Sequence, residues 1–350
     1  MHIRQMLLQA VARQASDLHL VSGYPPSVRV HGALQHLDSE PLNSEPLNSE
    51  PLALMLQDLC TEPLWQKFQA FNNLDFAPGV EHEGQQQRFR ANYFMNDSAV
   101  GACFRVIPNE IPELNWANFP EPLAKQLASF RNGLVLLSGV TGSGKTTTLA
   151  MIINQLVQAG GYRIITVEDP IEYQFNSMTN SIVTARQVGR DVETFADGLK
   201  YGLRQDPDVI LVGEIRDKET AQMALSAAET GHLVFSTLHT RDAKGVISRI
   251  TDFFPQNSQV EIRAQLAMSL RAVVSQHLIP SIIPGEKREL AIEVLFNNHT
   301  ISAAIRQNKL MTIDDNILAG KQMGMIRFED SIKRLLADAR ISQDEANVYL

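Results

Sequence analysis

The sequence predicts an α/β protein of two domains: a smaller N-terminal α+β domain, then a larger domain on a mostly parallel sheet with helices on both faces. Three observations carry this. From Phe119 onward, apolar runs of strand length alternate with helical stretches, which is the rhythm of βαβ units. Residues 1–107 instead mix helices with short alternating segments that suit antiparallel pairing. Between them, 108–122 holds four prolines and little periodicity. A chain of 350 residues accommodates two such domains and buries a core without covalent staples.

Composition narrows the function classes. With 44% hydrophobic and 20% charged residues the chain is not mostly disordered. Net charge is −8, whereas a protein that tracks polyphosphate carries a basic face, so no nucleic-acid partner is expected. The two cysteines, Cys60 and Cys103, form no CxxC pair. That excludes a four-cysteine zinc site and fits a reducing compartment. No uncharged apolar run approaches the ~20 residues of a membrane span. The first fifteen residues, with Arg4 and Arg13, read as an amphipathic helix, not a leader. A soluble, cytoplasmic protein is expected.

Along the first domain, strands are expected at 18–21 and 27–31 around the turn Gly23-Tyr24-Pro25-Pro26, and again at 89–94 and 100–107. Residues 39–52 read SEPLN-SEPLN-SEPL. A proline every five residues suits neither a regular helix nor a central strand, so this insertion is expected to be a surface loop. The stretch 108–122 is expected to be the linker. Residues 123–283 form the core of the second domain, with strands at 133–138, 162–167, 209–212 and 232–238. Residues 284–350 hold one strand, 290–296, then mainly helices, one marked by a stripe of Phe328, Ile332, Leu335 and Leu336.

Gly139-Val140-Thr141-Gly142-Ser143-Gly144-Lys145-Thr146 matches GxxxxGK[ST] in full, with Thr147 next in the cradle. It follows an apolar strand and opens the helix expected at 146–157. The glycines let backbone N–H groups close on phosphate oxygens without a Cβ in the way. The helix N-terminus adds partial positive charge. Lys145 reaches the β- and γ-phosphates, and the Thr146 hydroxyl ligates Mg²⁺. This is a site for a nucleoside triphosphate, with ATP and Mg²⁺ as the expected ligands.

Hydrolysis depends on carboxylates. The strand Val209–Val212 runs into Gly213 and Glu214. Many ATPases end this strand in Asp then Glu. Here Gly213 stands at the Asp position, and Glu214 is the candidate to polarise the attacking water. Glu168 and Asp169, after the strand at 162–167, are candidates to support Mg²⁺ through bound water, while Glu172 reads as a solvated surface acid. His232 and His239 bracket the strand at 232–238. Their spacing puts them on opposite faces and argues against joint metal binding. His239, at the strand's C-terminal end, reads as a phosphate sensor; His232 is left between that role and a structural one. Arg88, Arg90, Arg105 and Arg204 are candidates for the extra positive charge that phosphoryl transfer needs.

These segments together resemble the secretion-ATPase superfamily, and within it the type IV pilus retraction ATPases of the PilT/PilU type. The resemblance rests on Ala15-Ser16-Asp17-Leu18-His19-Leu20 with Pro25-Pro26 and Arg29-Val30, the phosphate loop 139–146, and the acidic segment 164–172. It also rests on the strand and acids of 206–217 and the histidine segment 230–240. It implies a PAS-like N-terminal domain joined to a RecA-like P-loop ATPase domain with a helical C-terminal tail. It implies a homo-hexameric ring that hydrolyses ATP at the cytoplasmic face of the inner membrane. The ring would act on an inner-membrane platform protein to withdraw pilin subunits, beside a paralogous pilus ATPase in some systems, and would touch the membrane only through the pilus machine. By the same resemblance Glu214 is the catalytic glutamate, Glu168 an Asp-box acid, and His232 and His239 His-box residues. Arg90 and Arg105 are N-terminal-domain arginines that reach nucleotide.

Three departures stand out. The family's Asn-Arg-Gly turn reads Asp97-Ser98-Ala99. The retraction motif near the C-terminus keeps Ile301, Ile305 and Arg306 but carries Ser302 and Gln307 in place of Arg and Glu. The SEPLN insertion has no counterpart. The first two leave room for an accessory ATPase or a weakly hydrolysing ring subunit. An assembly or type II secretion ATPase would normally add a longer N-terminal region and a four-cysteine insert.

Overall fold

The structure of the chain, a computed structural model, describes residues 2–30, 32–37, 48–82, 84–175, 179–284 and 286–350. They form two compact units, Met1–Glu110 and Ile111–Leu350.

The first unit runs α1 (Ile3–Ala12), β1 (Asp17–Val21), β2 (Ser27–Val30), β3 (Ala33–His36), α2 (Ser49–Leu59), α3 (Glu62–Phe71), β4 (Asn73–Phe76), β5 (Gly79–His82), β6 (Gln85–Asn96) and β7 (Ala99–Ile107). Its strands form one antiparallel sheet in the order β3-β2-β1-β7-β6-β4, with β5 also on β6. The period of two decides which side is buried. Leu18, Leu20, Phe89, Ala91, Tyr93, Ala102 and Phe104 are all buried. Against them pack Ile3, Met6 and Leu7 of α1, Leu52 and Leu56 of α2, and Trp65 and Phe68 of α3. This is the PAS-like domain, with polar residues left on the sheet's other face.

The described part of the insertion differs from the loop that its prolines predict. Residues 39–47 lie outside the described residues, as does His31 at the expected end of β2. The third copy, Ser49-Glu50-Pro51-Leu52, is the first turn of α2. Pro51 is tolerated because the first N–H groups of a helix have no intrahelical acceptor. Leu52 is fully buried.

The linker expectation also needs correction. Ile111, Leu114, Ala117 and Phe119 pack on the core of the second unit, and the helix α4 (Glu121–Ala128) begins inside the expected linker. Four prolines therefore mark an irregular but packed segment.

The second unit continues with β8 (Gly133–Ser138), α5 (Lys145–Ala159), β9 (Arg163–Glu168), β10 (Ile182–Gln187), α6 (Phe195–Gly202), β11 (Val209–Val212), α7 (Lys218–Glu229) and β12 (Leu233–Leu238). Then come α8 (Ala243–Asp252), α9 (Gln259–Ser269), β13 (Leu270–Ile279), β14 (Glu289–Phe296), α10 (His299–Arg306), α11 (Ile313–Ala319), α12 (Phe328–Ala337) and α13 (Gln343–Tyr349). The sheet order is β10-β9-β11-β12-β8-β13-β14. All neighbours are parallel except β14, which pairs antiparallel with β13. β8, β11, β12 and β14 are buried at every position, as befits strands covered on both faces. This is the RecA-like domain. The strand expected in the C-terminal tail is therefore an edge of the main sheet. The stripe on α12 is there too: Ile332 and Leu335 are buried in a small satellite core, with Phe328 and Leu336 against it.

Candidate functional site: a phosphate loop and its acids

Parallel strands bring their C-terminal ends to one edge, where open α/β sheets build their sites. The order places β12 between β8, which feeds the phosphate loop, and β11, which ends at Glu214; β9, ending at Glu168, lies next to β11.

The loop turns on glycines. Gly139, Gly142 and Gly144 take φ of +145°, +79° and +87°, values that suit residues without a Cβ. A Cβ on Gly139 would run into the Gln276 carbonyl oxygen of β13. Gly144 caps α5, so the helix's free N–H groups face the loop. Lys145 Nζ donates to the carbonyl oxygens of Gly139 at 2.8 Å and Val140 at 3.1 Å. Burial pushes the ammonium's pKa down, while the charges of Glu214 and Glu172 push it up. Glu172, expected to be a solvated acid, thus acts on the lysine. Ser143 Oγ is buried and without a hydrogen-bond partner, an open donor inside the cradle that a phosphate oxygen would satisfy. Thr147 and Tyr173 join their hydroxyls at 3.0 Å. Thr146 is half-buried on the first turn of α5.

Glu214 is held from two sides. Gly213 N–H donates to Val167 O at 2.8 Å, and Thr237 Oγ1 to Gly213 O at 2.7 Å. A Cβ on Gly213 would meet Val167 O at 3.3 Å and Glu168 Cα at 3.4 Å. The space an aspartate Cβ would need is therefore tight against the backbone at the end of β9. Glu168 is buried and accepts from Thr166 Oγ1 at 2.8 Å. The Glu214 carboxylate meets Arg216 through one oxygen and His239 Nε2, at 3.2 Å, through the other. Arg216 also lies 3.8 Å from Asp169. Glu214, Asp169, Arg216 and His239 thus form one cluster, with Lys145 within its electrostatic reach. Arg216 was not singled out in the sequence. Its position two residues after Glu214, beyond the strand end, was the available signal.

Two candidates fall elsewhere. His232 precedes β12, whereas His239 follows it; six strand residues rising ~3.3 Å each separate them by about 20 Å. Its ring Nδ1 lies 3.1 Å from Ala227 O and 3.2 Å from Thr230 Oγ1. It lines a cavity of about 400 Å³ with Arg131, Asp208 and Thr230 at the opposite edge of the sheet. Arg204 is exposed just ahead of β11, also at the N-terminal ends of the strands. Neither faces the phosphate loop of its own chain. A strand's two ends point to opposite edges, which the seven-residue spacing of the histidines did not take into account.

The arginines of the first unit share a face. Pairing sets Arg29 opposite Asp17, Asp17 opposite Arg105, and Arg105 opposite Arg90 in one row across β2, β1, β7 and β6. Arg105 Nε donates to the buried Asp17 at 3.0 Å. Arg29, in the segment that carries the resemblance, is through this row a neighbour of the other two. Arg88 lies two residues earlier on β6, on the same face as Arg90.

A glycine-turned phosphate loop at the C-terminal edge of a parallel sheet, with a glutamate from a neighbouring strand end, defines a P-loop nucleotide-binding protein. Residues 104–323 match the family described as type II/IV secretion system protein. The chain is 38% identical over 349 residues to the type IV pilus retraction ATPase PilT of Pseudomonas aeruginosa, covering 99% of this chain and 97% of that protein. It is 34% identical over 346 residues to the type IV pilus ATPase PilU of the same organism, covering 99% and 88%. The crystal structure of the pilus retraction motor PilT with bound ADP superposes with a TM-score of 0.85 at 40% identity, covering 99% and 96% of the two chains. The chain belongs to the type II/IV secretion ATPase family. Among the described residues, no helix is long and apolar enough to cross a membrane.

Proposed function

We propose that this chain is an ATP hydrolase that powers type IV pilus retraction as a hexameric ring. The observation that carries the reading is likeness to PilT along the whole chain, the N-terminal unit included, joined to an intact phosphate loop and Glu214. Lys145 exchanges its loop carbonyls for the β- and γ-phosphates. Glu214 orients the attacking water and accepts its proton, and His239 holds the second carboxylate oxygen. Mg²⁺, held by the Thr146 hydroxyl with Glu168 and Asp169 through water, would neutralise phosphate charge. That donor set, all oxygen with few direct protein ligands, suits the ion. Arg216 pairs with Glu214, so water activation requires that pair to loosen. The row Arg29, Arg105 and Arg90, with Arg88, supplies cations for a nucleotide site completed between subunits. The ring works at the cytoplasmic face of the inner membrane on a platform protein.

A second reading, a PilU-like accessory ATPase, is favoured by Ser302. Its hydroxyl donates to Ala267 O at 2.9 Å and lies 3.0 Å from Asn297 Oδ1, a local structural role where the retraction motif has an arginine. The test is pilus withdrawal in the native host. Loss of the chain should leave pili that extend and do not retract, rescued by the unmodified chain and not by Lys145→Ala. Unchanged withdrawal on loss of the chain would contradict the motor reading.

A further inference from the structure

The segment leading into β14 places four consecutive residues against different parts of the second unit. Glu286 accepts from Arg340 Nη2 at 2.6 Å. Lys287 Nζ lies 4.5 Å from the centre of the Trp116 ring, a cation–π contact. Arg288 Nη2 donates to the Gly142 carbonyl of the phosphate loop at 3.1 Å. Glu289 is buried; it accepts from Arg340 Nε at 2.9 Å and from Asn118 Nδ2 at 3.3 Å. Trp116 and Asn118 belong to the stretch that enters this unit at Ile111. Arg340 lies between α12 and α13.

We propose that residues 286–289 form a strap that couples nucleotide at the phosphate loop to the entering stretch 111–119, with Arg288 as its positioning residue. The proposal rests on the nucleotide reading above. A peptide unit is planar, so a donor that fixes the Gly142 oxygen also fixes the direction of the Ser143 N–H. Phosphate oxygens draw the loop's N–H groups inward. Any turn of that peptide unit therefore moves the group bonded to Arg288. The strap cannot absorb the motion locally. The Glu289 carboxylate is buried while Arg340 is partly exposed, and parting them would leave that carboxylate buried without its cation, which is costly; Glu286 holds the same arginine. The free end of the displacement is Lys287 against Trp116. The Trp116 side is 57% exposed, so its ring can shift without opening a core.

The test uses the full-length protein with Mg²⁺ and ADP. The chain has two tryptophans, and the Trp116 part of the emission is identified by its loss in Trp116→Phe. Binding is measured separately with the fluorescent analogue mant-ADP. Saturating ADP should change the Trp116 emission of the unmodified protein. Arg288→Ala should lose most of that change yet bind mant-ADP within about tenfold of the unmodified protein, the net worth of one ordinary solvent-exposed hydrogen bond. A full Trp116 response in Arg288→Ala would overturn the proposal. So would mant-ADP binding to the unmodified protein with no Trp116 response. Loss of mant-ADP binding in Arg288→Ala would also overturn it, by making Arg288 a direct ligand. If the unmodified protein binds no mant-ADP, the nucleotide reading itself fails and the strap falls with it.

Discussion

Replacing Glu214 by glutamine isolates proton acceptance from geometry. The side chain is 14% exposed and held at both oxygens, by Arg216 and by His239. An amide has nearly the same shape, keeps one acceptor for Arg216 and offers an N–H to the imidazole. The contacts therefore survive while the carboxylate's ability to take a proton is lost. A positioned general base contributes about 10²–10⁴ in rate, equal to about 3–5 kcal/mol of barrier. Steady-state phosphate release by Glu214→Gln should fall by that factor. Binding of mant-ADP should stay within about threefold, since the change lies outside the phosphate cradle. Turnover within about tenfold of the unmodified chain would refute Glu214 as the water-activating group. A parallel loss of binding would show that it acts by holding the loop.

Other outcomes follow from the same geometry. Lys145→Ala should weaken mant-ADP binding by at least about 10²-fold, because a buried cation's contact with phosphate is lost. Gly139→Ala should abolish binding as well, since its new Cβ meets the Gln276 carbonyl; a variant that binds normally would refute the tight loop. His232→Ala should bind mant-ADP within about threefold of the unmodified chain, because the residue stands about 20 Å from the loop, and a larger loss would revive its catalytic assignment. Glu293 is buried beside the start of α8, accepting from Ala243 N–H at 2.7 Å. Burial pushes its carboxyl up to about 7; Asp242 and Asp314 add to this, while the Ala243 N–H and Lys244 oppose it. The folded state therefore holds this proton where the unfolded chain, at an ordinary carboxylate pKa, has released it. Its contribution favours folding below about pH 4.5 and is lost as pH rises to about 7, by at most about 3 kcal/mol. Glu293→Gln should remove that fall, read as the change in melting temperature between pH 5 and pH 8.

The contiguous parts of the site were legible. Residues 139–146 carry their own context, and β8, β11 and β12 show as mainly apolar runs, β12 interrupted only by Ser236 and Thr237, because parallel strands are buried on both faces. β13 was missed because Ser269 passes from α9 into Leu270 with neither Gly nor Pro between them. β10 was missed because it is a partly exposed edge with polar residues. Pro51 misled because a proline reads as a helix breaker unless it falls in the first turn, as it does in α2. Arg288 reaches Gly142 across 146 positions of sequence, and Arg340 reaches Glu289 across 51. Such contacts exist only once the sheet brings β14 beside β13, the neighbour of β8, so no local pattern announces them.

The most direct test of the central claim is steady-state ATP hydrolysis by the purified protein with Mg²⁺, with particle mass recorded on the same sample. The account predicts turnover that appears with hexamers and vanishes in Glu214→Gln. Tight nucleotide binding by hexamers without turnover would contradict it, and would make the chain a ring partner of another motor.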